Sequence, residues 1–486
     1  MGGSAQGYGV SRRGMLGGLM AAGGLSLAGG LSGLSRASAA TAGRAAASVN
    51  VPPAPVAAQQ VLSEFLHVWN GYKTYAWGHD QLNPVSGTYS EFFVPGHPIG
   101  LSIIEALDTL YVMELDSELA DGVSWIEQNL NFDIDGNFHV FEAIIRVVGG
   151  LLSGYLATGN KTLLDLTVDV TDRIMPAFTK SPTGMPYQYV NFHTGAVSGP
   201  NPPLAEIGTN ILEFGKLSRI TGNPAYYQAS IKAYESAVAA QSSIGLMGQN
   251  LNVETGQVTN TTENAPNPPV DSFYEYLWGG WAMLGNAQCR KWFTHFNDAL
   301  TKYCLETYNG NLWYKQVDYQ TGALLARQQS ELASFWAEIL GYAGQLSVGS
   351  SYYRSWTKVL DQSPVLPERI DYTTFAATQK SNQFRPEYVN ASFDLYFQTG
   401  DPYYAATAWQ WFQGMRDNAR VPNGYTIVRD VTTRPMVLGD LFPAYGFAED
   451  FKYLYLIFAN SPRFNSHRFW LSTEGKILEG LLPVRG

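Results

Sequence analysis

Apolar positions recur at helical spacing over most of the chain, and the helices they predict are punctuated in one repeated way. Gly159-Asn160, Gly222-Asn223-Pro224 and Gly400-Asp401-Pro402 each close one amphipathic stretch and open the next. Glycine takes the left-handed conformation past a helix end, Asn or Asp caps the following N-terminus, and Pro fits the first helical position. Residues 143–156, 207–218 and 389–397 are predicted as helices upstream of these turns, and 225–239 and 404–415 as helices downstream. Helical hairpins repeated along a 486-residue chain build either an open solenoid or a closed toroid. A solenoid repeats at fixed period, whereas these hairpins are separated irregularly by Gly/Pro/Asn-rich segments at 181–203 and 250–269. That irregularity favours the toroid, with the long segments lining one mouth, where function usually sits. The pattern changes at 468–478, which reads as two short strands around a turn.

Composition narrows the partners. Hydrophobic residues make up 45% and aromatics 13% of the chain, enough for a large ordered core. A net charge of −10 without any Lys/Arg cluster argues against nucleic acid and for a neutral ligand. Ser11-Arg12-Arg13-Gly14-Met15-Leu16, a Gly/Ala/Leu stretch and Ala37-Ser38-Ala39 have the form of a twin-arginine export signal over residues 1–39. A tether over 40–58 and one domain over 59–486 follow, in a periplasmic or secreted protein. No later run of about 18 apolar residues is expected to cross a membrane. Cys289 and Cys304, if on one helix, lie ~22 Å apart and cannot bridge, so two buried thiols are expected.

Four carboxylates stand in greasy, ring-rich segments: Glu142, Asp271, Glu387 and Glu449. Burying a charge is costly unless it is paired or used, and a pocket that tunes carboxyl groups apart for acid/base work needs such surroundings. This pattern points to a glycosidase. Plainer roles stand beside it: Glu142 is spaced to pair with Arg146 one turn on, and Glu387 follows Pro386 at a helix start, where the dipole favours an acid. Glu105 and Asp108 are expected to be structural.

Seven blocks make the resemblance specific. Gly100 to Met113, Val140 to Ser153, Ala205 to Phe214, Asp271 to Leu277, Arg385 to Val389, Ala448 to Phe458 and Ser472-Thr473-Glu474 occur in family order, and the chain resembles the class I α-1,2-mannosidases, glycoside hydrolase family 47. The resemblance implies an all-α fold, an (α/α)7 barrel plugged by a C-terminal β-hairpin. It implies an exo-acting, inverting hydrolase of terminal α-1,2-linked mannose with one bound Ca2+, a monomer without nucleic-acid or membrane partners. By the same resemblance Glu142 is the general acid, acting through a water, Glu387 the general base, and Asp271 a third essential carboxylate of open role. Inversion requires acid and base roughly 6.5–9.5 Å apart. Arg146, Glu206, Arg385 and Glu449 are implied to bind the α-mannoside glycan, with Tyr445, Phe447 and Trp470 offering stacking faces, although core packing suits each aromatic as well. Thr473 at the hairpin tip is implied to ligate the ion through its carbonyl and hydroxyl, with Glu449 and Glu474 balancing charge through water. The chain departs from the family at Asn390, Pro269, Glu331 and Ser334, which bears on substrate range. A catalytically weak mannose-binding lectin on the same scaffold and a helical scaffold without a sugar site are the alternatives. The seven histidines, His139 among them, share no motif.

Overall fold

The computed structural model describes residues 50–484; the expected signal peptide and most of the expected tether lie outside the described residues. Helix α1 (Ala54–Tyr75) starts inside the stretch expected to be tether. The correction has a local cause. Pro55 sits in the first turn, where a missing N–H costs nothing. Ala57 and Ala58 are strong helix formers and are buried.

Thirteen further helices of seven or more residues follow among the described residues: α2 (Leu101–Val112), α3 (Asp116–Asn129), α4 (Val140–Thr158), α5 (Lys161–Ile174), α6 (Ile211–Thr221), α7 (Ala225–Val238), α8 (Asp271–Ala282), α9 (Ala287–Tyr303), α10 (Trp336–Tyr342), α11 (Leu346–Leu360), α12 (Glu387–Thr399), α13 (Pro402–Ala419) and α14 (Asp450–Phe458). The even-numbered helices contact one another in sequence, and the short turn Tyr445–Ala448 before α14 packs back on α2, so the inner ring closes. Each odd-numbered helix backs an inner neighbour. Sequence decides which helix goes where. Every residue of α2 is buried, with its two acids, Glu105 and Asp108, paired to buried lysines, whereas α3 buries only Leu119, Gly122 and Ile126, the one-sided stripe of an outer helix. The molecule is an (α/α)7 barrel.

The punctuation works as its chemistry predicts. Gly159, Gly222 and Gly400 have φ of 70°, 76° and 72°. The Asn160, Asn223 and Asp401 side chains accept from the backbone N–H groups of Thr162, Ala225 and Tyr403. The helix expected over 207–218 is broken instead: a short turn Leu204–Gly208 ends at Thr209, and α6 starts afresh at Ile211. Thr209 donates its hydroxyl to Ser272 and Asn210 its amide to the Ile207 carbonyl, side-chain bonds that compete with helix continuation. α4 corrects another expectation, because Val140–Thr158 is long and apolar enough to cross a membrane. Here its apolar surface is buried as an inner wall of the ring.

The loops at one mouth carry small antiparallel sheets, among them Asn137–His139 with Tyr189–Asn191 and Val197–Ser198. At the other end Trp470–Leu471 pairs with Ile477–Glu479 and drives the turn Ser472 to Lys476 into the ring. Two buried ion pairs hold it there. Lys476 pairs with Glu105, and Lys452 with Asp108 at 2.7 Å, all four side chains being fully buried. Asp108 also accepts from the backbone N–H of Ile477. Cys289 and Cys304 are free and buried.

Candidate active site

The inner helices begin at one mouth, and their first turns supply most of a cavity of about 280 Å³. Glu142 lies in the first turn of α4, Asp271 opens α8, Glu387 opens α12, and Glu449 immediately precedes α14. Each faces the cavity. Helix N-termini favour negative charge, so the ring gathers carboxylates at that end. Immediately after Glu142 the helix widens to a π turn over Ala143–Val148, a distortion common at functional sites. Glu206 reaches the cavity from the detached turn before α6, and Thr473 and Glu474 reach it from the hairpin tip. At that tip Gly475 has φ +65°, and a Cβ there would lie 2.9 Å from Glu449 Cγ, so a side chain would push the tip off the floor.

Sequence reading missed several lining residues. Glu275 lies one turn after Asp271, and that i,i+4 spacing was the available signal; Phe141, Leu332 and Phe335 supply the apolar wall. Asn390 and Pro269 line the cavity, and Asn390 donates to Asp394. Glu331 and Ser334 do not line it. They are buried in the turn Glu331–Phe335, where the Glu331 carboxylate accepts from Asn382.

Two guanidiniums organise the carboxylates. Arg146 donates through Nε to Glu142 at 2.6 Å and also meets Glu474 at 2.9 Å and Glu105 at 3.2 Å. Burial would draw its proton affinity down, but Glu142, Glu474 and Glu105 together hold it raised. Arg385 pairs with Glu368 at 3.0 Å. Tyr445, expected as a stacking face, stands behind the cavity between these cations, 5.3 Å from the Arg146 guanidinium and 5.9 Å from that of Arg385. Its hydroxyl is held by the Gln383 carbonyl, so it positions the arginines. Phe447 is core: fully buried, its ring packs on Trp69 and Phe442. Trp470 packs on Tyr342 and over Gly279 at the hairpin base. The stacking readings of Phe447 and Trp470 are corrected on that ground, since a ring enclosed by others has no free face.

The cavity's charge is lopsided. Glu142, Glu206, Asp271, Glu275, Glu387, Glu449 and Glu474 face only Arg146 and Arg385. Burial pushes Asp271 up to about 6 and Glu387 up to about 7, Arg385 opposing both. Burial and the approach of Asp271 carry Glu275 to about 8, while the Thr473 side chain opposes the rise. Glu449 and Glu474 are raised by burial, and they repel each other as adjacent acids. Glu387 Oε2 is buried without a protein hydrogen-bond partner.

Such a set accommodates a hard cation. Its donors are oxygens, its charge excess is negative, and Thr473 stands at the floor between Glu275 and Glu474. Among the described residues no group of three or more His, Cys, Asp or Glu is arranged to hold a metal directly.

The raised acids set an expected pH dependence of stability. Glu263, raised to about 7 by burial, and Glu213, raised to about 8 by burial, keep protons in the native state that the unfolded chain has released. Their stabilising protonation is complete at low pH and is lost as pH rises. In chelator-treated protein the thermal midpoint is therefore expected to fall from about pH 5 to about pH 8, and Glu263→Gln to flatten that slope. A midpoint that rises over this interval in a calorimetric scan contradicts the assignment.

With this geometry in place, likeness to known proteins becomes informative. The family model described as Glycosyl hydrolase family 47 matches residues 64–480. An Alpha-mannosidase I of Arabidopsis thaliana is 32% identical over 445 residues, spanning 86% of this chain and 76% of its own length. Mannosyl-oligosaccharide alpha-1,2-mannosidase IA of Spodoptera frugiperda is also 32% identical, over 88% of this chain and 67% of its own. The solved alpha-1,2-mannosidase from Trichoderma reesei superposes with a TM-score of 0.80 at 25% identity, covering 89% of this chain and 100% of that one. A cellobiose 2-epimerase from Spirochaeta thermophila, 12% identical with a TM-score of 0.54, shares the helical ring alone.

Proposed function

Since the chain belongs to glycosyl hydrolase family 47, we propose that this glycoside hydrolase is an exo-acting, inverting α-1,2-mannosidase. It removes terminal α-1,2-linked mannose from glycans, uses Ca2+, and is exported through the twin-arginine pathway. One observation carries the reading: Glu142, Asp271 and Glu387, on three separate inner helices, face one cavity whose floor bears Thr473. Exo action follows from shape. A cavity of about 280 Å³ is at the small end of ligand sites and is closed below by the hairpin, so it admits a chain end rather than a chain. Nothing in the cavity favours the lectin alternative.

Glu387 takes a proton from the attacking water through its unpartnered oxygen, and its raised affinity for protons suits a base working near neutrality. As the water oxygen bonds to C1, the bond from C1 to the glycosidic oxygen breaks, and Glu142 supplies the leaving oxygen with its proton through a second water. Arg146 holds the Glu142 carboxyl in place. Asp271, whose charge Glu387 feels, is the third essential carboxylate. Glu449 grips hydroxyls of the cleaved mannose, Glu206 those of its neighbour, and Arg146 and Arg385 complete the polar wall. Thr473, through its carbonyl and hydroxyl, would hold Ca2+, with Glu449 and Glu474 balancing the charge; the ion would supply positive charge against the carboxylates and a point of attachment for sugar hydroxyls.

Attack from the face opposite the leaving oxygen releases β-mannose first. Proton NMR of α-1,2-mannobiose hydrolysis is expected to show that anomer before mutarotation, and activity is expected to vanish in EDTA and return with Ca2+. Early α-mannose defeats inversion, and full activity in EDTA defeats the metal.

A further inference from the structure

His139 caps the start of α4, three residues before Glu142, in extended backbone. Its strand, Asn137–His139, pairs with Tyr189–Asn191 so that His139 lies opposite Tyr189, and the two rings meet at 5.0 Å. The imidazole Nε2 lies 3.2 Å from Glu206 Oε1. Gln188, next along the paired strand, donates its amide to Glu206 Oε2 at 3.2 Å, and its carbonyl accepts from the backbone N–H of Val140. Both oxygens of one cavity carboxylate are therefore held from the mouth sheet, one by a fixed amide and one by a group that titrates.

We infer that His139 is a positioning residue, which fixes Glu206 toward the leaving-side sugar and ties substrate affinity to its own protonation. The inference rests on the mannosidase reading of Glu206. It adds a control point outside the acid and base, in a residue that touches neither the reacting atoms nor the cleaved sugar.

The charges that face the ring set its sign. Burial would lower the proton affinity of His139, but Glu206 and, at longer range, Glu142 raise it, with Arg146 opposing them; the net direction is upward. Tyr189 adds an uncharged ring from the paired strand. Below that raised value the imidazolium donates a charge-assisted bond to Glu206, stronger and more directional than a neutral one. Above the raised value the proton leaves, the bond weakens, and Glu206 is held by Gln188 alone. The effect belongs in KM, since Glu206 holds the departing sugar in the ground state and the transition state alike.

Steady-state kinetics on α-1,2-mannobiose across the pH range, in Ca2+-loaded full-length protein, test this directly. His139→Ala is expected to raise KM roughly tenfold, the effect of one lost charge-assisted bond, with kcat nearly unchanged. His139→Gln keeps a donor without a titrating proton. It is expected to restore KM toward wild type and to remove the rise of KM with pH, while leaving the kcat profile in place. A KM unmoved in His139→Ala, a loss confined to kcat, or an undiminished pH dependence of KM in His139→Gln each overturns the positioning role. The coupling itself has a readout that needs no turnover. The His139 ring proton, assigned by its disappearance in His139→Gln, is expected to titrate above the ordinary imidazole range and to move down in Glu206→Gln; an unmoved titration overturns the inference. Absence of wild-type hydrolysis defeats the mannosidase reading instead, and the NMR arm still decides whether His139 and Glu206 are coupled.

Discussion

Glu387→Gln is expected to lower kcat on α-1,2-mannobiose by roughly 10²–10⁴-fold, the usual contribution of a positioned base, without loss of stability. The two halves of this expectation share a cause. The carboxyl is buried, has one oxygen without a protein partner and is raised to about 7, so an amide relieves a strained charge as it removes the proton acceptor. Thermal unfolding is expected to be unchanged or slightly later. Glu142→Gln should give a comparable loss of kcat with a different structural signature. It deletes the charge-assisted bond to Arg146 at 2.6 Å, although Glu105 and Glu474 still hold that guanidinium. A Glu387→Gln enzyme that keeps more than a tenth of wild-type kcat would remove Glu387 from the role of base.

The second large effect concerns the plug. Asp108→Ala leaves the Lys452 ammonium buried without its 2.7 Å partner, and burial already draws Lys452 down to about 8. Breaking a buried pair on one side costs about 3–5 kcal/mol. The hairpin should loosen with it, because Asp108 also holds the Ile477 N–H, and Lys452 donates to the Gly475 carbonyl. Activity is then expected to need more Ca2+, since the Thr473 turn no longer sits firmly on the floor. Replacing both partners by apolar residues of similar volume, Asp108→Leu with Lys452→Met, is expected to recover the part lost to the unpaired ammonium, but not the part carried by the Ile477 N–H and the Gly475 carbonyl. Denaturant unfolding of the singles and the double closes the cycle. A single-mutant cost no larger than that of a surface pair, about 1 kcal/mol, would show that the plug is not held by these charges.

These two expectations mark how far the chain could be read directly. The helix stops at Gly159, Gly222 and Gly400 were legible because capping is a contract between residues a few positions apart. So were four of the acids that meet in the cavity, Glu142, Asp271, Glu387 and Glu449, since an acid amid rings is visible without coordinates. The break at Thr209-Asn210 was not, because an unbroken apolar period hides side-chain bonds to Ser272 and Ile207. Aromatics were ambiguous for a related reason: Phe447, Tyr445 and Trp470 look alike in sequence, and only their neighbours decide whether a ring keeps a free face.

Sequence alone determined the helical hairpins, the terminal strand pair and four of the cavity's acids, because periodicity, capping and the cost of buried charge are written within short stretches of chain. Tertiary structure alone decided that α2 closes against the turn before α14, that Arg146 serves three carboxylates at once, and that His139 meets Glu206. Those contacts join residues far apart along the chain, and ring closure, which no local interaction encodes, is what brings them together.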